Sequence, residues 1–125
     1  MKFPFKKEKE VVFKKTGPQQ GFILRNQEHE LTDFRDVDIE DYLADMFNSP
    51  DEFAVLSAPK AQYNVRYVQA CMQDGAVEVE LGIEKDGGTR LYYKMCSQEE
   101  CRRVFLDFYD NTFIPEMGEY KPVEF

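Results

Sequence analysis

The sequence predicts an α+β domain. An antiparallel sheet of four or more strands, built on a meander at 63–96, carries a C-terminal helix at 97–113 on one face, with a short helix near 39–47. Three observations carry this reading. Val77, Val79, Leu81 and Ile83 alternate with Glu78, Glu80, Gly82 and Glu84, the period of a half-buried strand. Asp74-Gly75 and Asp86-Gly87 break the surrounding runs with hairpin-turn residues. Cys101, Val104, Phe105, Phe108 and Thr112 recur at helical spacing.

In chain order, residues 1–9 alternate Lys with Phe and Pro and read as a loose arm on a single domain spanning 1–125. Val11-Val12-Phe13 reads as a strand, Gly17-Pro18-Gln19-Gln20-Gly21 as a turn and Phe22-Ile23-Leu24 as the returning strand. Asn26 to Asp36 reads as a polar loop. Asp38 is expected to cap a helix, with Glu40 and Asp41 in the first turn, where the helix dipole favours acids. Ile39, Tyr42, Leu43, Met46 and Phe47 make its apolar face, and Glu40, Asp41 and Asp45 lie toward the other side. Asn48-Ser49-Pro50 stops the helix. Phe53 to Ser57 reads as a short strand ending before Pro59.

Parity then sets the meander. A two-residue turn at Asp74-Gly75 opposes Met72 to Val77, Ala70 to Val79 and Val68 to Leu81, all on the buried face. Tyr67, Gln69 and Cys71 then share the other face with Glu78 and Glu80. For the following strand, Thr89 to Cys96, burial of Leu91, Tyr93 and Met95 requires a three-residue loop, Asp86-Gly87-Gly88, with Gly88 left-handed. That loop places Tyr92 and Lys94 beside Glu80 and Glu78. Ser97 caps the last helix and Glu100 completes a capping box. Leu106, Tyr109 and Phe113 widen its stripe, and the tail from Glu116 onward reads as irregular packed structure.

Composition bounds the function. The chain has 125 residues and a net charge of −8, with 11 Phe and 7 Tyr, too many aromatics for a wholly disordered chain. A domain of this size buries roughly two-thirds of its unfolded surface and needs no disulfide or metal for stability. The balance argues against nucleic-acid binding by phosphate neutralisation and against a polybasic membrane anchor. No apolar run approaches the length of a membrane span, and Met1-Lys2-Phe3-Pro4-Phe5-Lys6-Lys7 lacks the apolar stretch of a signal peptide, so the expected location is the cytoplasm. The charge is uneven. Residues 1–27 hold seven Lys or Arg against two Glu, and residues 28–52 hold ten acids against one Arg. The acidic segment also contains Leu31, Phe34, Val37, Ile39, Tyr42, Leu43, Met46 and Phe47, enough apolar surface to dock.

Catalytic and metal chemistry find little footing. Cys71, Cys96 and Cys101 form an odd set that fits reduced, buried thiols. His29, the single histidine, is a poor partner for a nucleophilic cysteine and is too far in sequence to suggest a zinc site. Asp36, Asp38 and Glu40 are spaced as in a calcium loop, but Asp41 stands where the turn needs glycine. No nucleophile elbow, phosphate loop or dinucleotide fingerprint is present. No cofactor, metal or catalytic residue is therefore expected, and an enzyme built on carboxylates and a tyrosine ranks last.

Two groups remain as candidate partner contacts. One is the meander face Tyr67, Gln69, Glu78, Glu80, Tyr92 and Lys94, an aromatic and charged set suited to charge-assisted hydrogen bonds. Its plainer reading is cross-strand pairing, with the tyrosines covering Gly82, and a third is that the first helix or the N-terminal strands cover this face. The other is the acidic helix, Asp38, Glu40, Asp41 and Asp45, with Glu28, Glu30, Asp33 and Asp36 before it. It suits a basic protein surface, and its plainer reading is solubility and capping.

The runs Tyr67-Val68-Gln69-Ala70, Val77-Glu78-Val79-Glu80 and Arg90-Leu91-Tyr92-Tyr93-Lys94 lead into a Ser97-capped helix carrying Phe105-Leu106-Asp107-Phe108-Tyr109. This strand–strand–strand–helix layout, over about residues 53–112, resembles small bacterial immunity proteins of polymorphic toxin systems. The resemblance implies a non-enzymatic protein that neutralises a toxin by tight binding, here with a basic protein as the expected partner. Contact residues do not transfer, because the family is diverse in fold. The alternative is a small accessory or regulatory domain that self-associates through its sheet, as a homodimer.

Overall fold

The computed structural model describes residues 19–124. The expected arm at 1–9, the strand at Val11-Val12-Phe13 and the first half of the following turn lie outside the described residues. From Gln19 onward the chain forms β1 (Ile23–Arg25), β2 (Glu30–Leu31), α1 (Asp36–Phe47), β3 (Phe53–Gln62), β4 (Val65–Gln73), β5 (Ala76–Lys85), β6 (Gly88–Cys96), α2 (Gln98–Tyr109) and β7 (Lys121–Pro122). The strands make one antiparallel sheet in the order β2-β1-β3-β4-β5-β6-β7. The α+β architecture and the helix on one sheet face stand as the alternation and the helical stripe imply.

Both helices lie on the same face of the sheet. α1 packs on β3 and β4, and α2 on β3, β4 and β5. Ile39, Leu43 and Met46 of α1 and Cys101, Phe105 and Phe108 of α2 are fully buried against Leu24, Leu56, Val68, Val79 and Leu81. Burial of this kind contributes roughly 1.5–3 kcal/mol per large side chain. At the sheet end where β1 begins, Tyr109 gathers the aromatics. Phe34 stacks on its ring at 5.2 Å, and Phe22 meets it edge-on at 5.1 Å. Its hydroxyl donates to the Phe34 carbonyl and accepts from the Gln19 N–H at 2.8 Å. The acidic segment is thus partly an integral layer of the core.

Three hairpins turn on two left-handed residues each: Tyr63-Asn64, Asp74-Gly75 and Asp86-Gly87, all with positive φ. Such turns match the twist of the strands they join. At Asp74-Gly75 the register is the one parity predicts, with Met72 opposite Val77, Ala70 opposite Val79 and Val68 opposite Leu81. At Asp86-Gly87 the expectation of a three-residue loop fails. Lys85 pairs with Gly88, Ile83 with Arg90, Leu81 with Tyr92 and Val79 with Lys94. Turn geometry prevails over the apolar pattern of β6, and every side chain of that strand changes face. Tyr92, Lys94 and Cys96 point toward the helices, and Leu91, Tyr93 and Met95 toward the outer face.

Other boundaries shift for identifiable reasons. β3 runs on through Pro59 to Gln62, because its pairing with β4 is irregular between Ser57 and Gln62, where a missing N–H costs no ladder bond. α1 begins at Asp36, so Asp38 is not its cap. Asp38 sits in the first turn, and its Oδ2 accepts the Arg35 N–H at 2.9 Å. The stretch expected to be loop contains the short strand β2, which pairs with β1. In α2 the Ser97 Oγ accepts from the Glu100 N–H at 3.0 Å, but the Glu100 carboxylate turns to Lys94 instead of closing a box. α2 ends at Tyr109, with Asn111 left-handed, so Thr112 leaves the stripe and is exposed. The tail is more regular than expected: a 3-10 turn at Met117–Glu119 leads into β7, which pairs with Tyr92 and Tyr93.

Candidate partner-binding faces

The predicted contact residues do not form one surface. On the outer face of the sheet, Tyr67, Gln69, Glu78 and Glu80 do come together: Tyr67 opposes Gly82, Gln69 opposes Glu80 and Cys71 opposes Glu78. Tyr92 and Lys94 do not join them, since the register of β6 puts both on the helix side. The exterior of α1, with Asp38, Glu40, Asp41 and Asp45, lies on the helix layer and so on the opposite side of the sheet from Glu78 and Glu80.

On the outer face, the Tyr67 ring closely covers Gly82. A methyl group at Gly82 would come within 2.3 Å of the ring. The sequence's plainer reading of this tyrosine, as a cover for the glycine, is therefore realised for Tyr67. Gln69 Nε2 donates to a carboxylate oxygen of Glu80. The Glu78 carboxyl is raised above the ordinary carboxylate range, first by burial and then by its hydrogen bond with Glu80 and that residue's charge. Tyr67 is raised by burial and by Glu80.

Sequence reasoning missed several members of this face. Phe53, Val55 and Ser57 of β3 oppose Cys71, Gln69 and Tyr67, and Arg25 opposes Val55. Leu91, Tyr93 and Met95 oppose Gly82, Glu80 and Glu78. The Asp86-Gly87 pair was the available signal, since its two-residue turn places all three there. A cleft of about 420 Å³ opens on this side, with Phe53 and Val55 within it and Arg25, Asp51, Glu78 and Glu80 around it. Among the described residues no helix lies over this face.

On the exterior of α1 the acids are partly used within the fold. Arg102 of α2 reaches Glu40 with Nε at 3.0 Å and Nη2 at 2.7 Å, and also pairs with Glu99 at 2.8 Å. Asp38 serves its own helix start. Asp41 and Asp45 stand exposed.

Lys94 acts inside the fold. It is largely covered, pairs with Glu100 and with Glu119 at 2.7 Å, and sits over the Tyr120 ring at 5.0 Å. It therefore pins the tail to the sheet and to the start of α2. Burial alone would lower its ammonium, but the hydrogen bonds to Glu100 and Glu119 outweigh that and raise it above the ordinary lysine value. A raised folded value means the contribution is complete below the unfolded lysine value of about pH 10.4 and is lost as pH rises through the higher folded one. Lys94→Met is expected to cost about 1–2 kcal/mol at neutral pH. In urea titrations the gap from wild type should narrow steadily above about pH 10.5. A gap constant with pH would show that the ion pairs do not carry the effect.

Burial raises all three thiols above the ordinary cysteine value. Cys96 is pushed up to about 11, first by burial and then by Glu100. Cys101 is raised by burial and by Cys96, and Cys71 by burial, with the Glu78 and Glu80 charges adding to it. Cys101 is fully buried, whereas Cys71 and Cys96 are half-buried, contrary to the expectation for all three. Among the described residues no three His, Cys, Asp or Glu side chains gather as metal ligands. None of the helices there is long and apolar enough to cross a membrane. Compared with known protein families, curated proteins and solved structures, the chain matches none.

Proposed function

We propose that this chain is a non-enzymatic binding protein that neutralises a basic protein toxin, in the manner of the immunity proteins its layout resembles. The observation that carries the reading is the division of the sheet. One face is filled by two helices, and the other presents Glu78 and Glu80, half-buried, without an ion-pair partner among the described residues. Partly desolvated acids without cations favour a cationic partner, and charge accelerates its arrival.

The test is affinity capture with the full chain from its native lysate, followed by association kinetics on what is retained. The expected result is a basic toxin domain whose on-rate falls steeply with salt. An on-rate indifferent to salt removes the electrostatic part, and an eluate without a basic protein overturns the reading.

A further inference from the structure

The two acidic surfaces lie on opposite layers, so one compact partner segment cannot use both. We propose that the outer face over β3, β4 and β5, rather than the exterior of α1, receives the partner, and that the occupant is an extended basic segment carrying apolar side chains. This rests on the reading of the chain as a binder of a basic protein and specifies the surface.

The α1 acids are the weaker candidates. Glu40 is already held by Arg102, and Asp38 by the Arg35 backbone. Asp41 and Asp45 are exposed, where an ion pair adds little. The outer face differs in three respects. Glu78 and Glu80 are neighbours on one face of β5 and are half-buried. Neither has an ion pair among the described residues, and Arg25 across the cleft makes none either. Phe53 and Val55 line the same cleft, so charge and apolar surface are side by side. A guanidinium or ammonium on an otherwise apolar strand matches both. An anionic segment would face two carboxylates, and a purely apolar one would bury them without partners. The Glu78 carboxyl is raised first by burial and then by its hydrogen bond and charge contact with Glu80.

The probe is a synthetic extended peptide in which Arg alternates with Val and Phe, beside a control with Glu in place of each Arg. Amide shifts in the full chain are expected along Phe53–Ser57, Gln69–Cys71 and Glu78–Glu80, with no binding of the control. The double variant Glu78→Gln/Glu80→Gln should lose at least about tenfold in affinity. Asp41→Asn/Asp45→Asn should stay within about twofold of wild type. Unfolding midpoints matched to wild type keep both variants interpretable. Shifts confined to α1, a loss in the α1 variant alone, or no binding of the Arg peptide would overturn the proposal. So would finding the face occupied by a second copy or by the chain's own residues 1–18. A basic protein captured from lysate that binds Glu78→Gln/Glu80→Gln as well as wild type would remove this surface and leave the proposed function standing. Capture without a basic protein would remove the function, even if the peptide binds here.

Discussion

Phe108→Ala is expected to lower stability by about 3–5 kcal/mol, the range for emptying a fully buried aromatic site. That is a large part of the ~5–15 kcal/mol holding a typical domain folded. Phe108 is wholly buried at the end of α2, with edge-on contacts to Phe22 at 6.0 Å and Phe113 at 6.4 Å. It therefore joins the residue leading into β1, α2 and the segment after the helix. The Phe108 carbonyl also accepts from Gln62 Nε2 at 3.1 Å, a bond that alanine retains, so the loss isolates packing. Urea unfolding reads the effect as a shifted midpoint with an unchanged slope. Phe108→Leu, keeping more of the volume, should cost less. A loss below about 1 kcal/mol for alanine would mean that α2 is not seated on the sheet as described.

Gly82→Ala is expected to cost about 1–3 kcal/mol, although alanine normally suits a strand better than glycine by about 0.5–1 kcal/mol. The cost comes from the Tyr67 ring, which occupies the space a methyl group needs. Gly82 has no positive φ, so its backbone is not the obstacle. In the Tyr67→Ala background the same substitution should become neutral or slightly stabilising. The double-mutant cycle then reads the ring contact directly. Equal costs in both backgrounds would place the strain elsewhere in β5.

Much of the fold was legible because local rules agreed. The alternation from Val77 to Ile83 and the Asp74-Gly75 turn point to one register for β4 and β5, and the structure has it. The stripe Cys101, Val104, Phe105 and Phe108 likewise points to one helix face. At β6 the rules conflicted. Leu91, Tyr93 and Met95 are the more apolar set, and burying them required a longer loop. The structure keeps the two-residue turn and points Lys94 inward, because Glu100 and Glu119 neutralise it there. Those acids lie on elements whose position relative to β6 is a tertiary fact, outside the reach of pattern reasoning. The candidate site inherits the same error. Tyr67, Gln69, Glu78 and Glu80 share a face through the register of β4 and β5 alone, while the two-residue hairpin carries Tyr92 and Lys94 to the other face. Phe53 and Val55 join this face through the pairing of β3 with β4 across the Tyr63-Asn64 turn, which a strand ending before Pro59 would not reach.

The sheet edge at β7 has a consequence for how recognition could diversify. Among the described residues the ladder beyond β6 continues only through Lys121 and Pro122, together with the Val123 N–H donating to the Leu91 carbonyl at 2.9 Å. Proline offers no N–H and lysine charges the rim, and both disfavour extension of the sheet here by a foreign strand. Main-chain pairing is indifferent to residue identity, whereas contact through a sheet face is not. A partner held by a face is selected by a handful of side chains pointing away from the core. Those positions can be exchanged without disturbing the packing beneath, so one scaffold of this kind can be retuned to new partners by few substitutions.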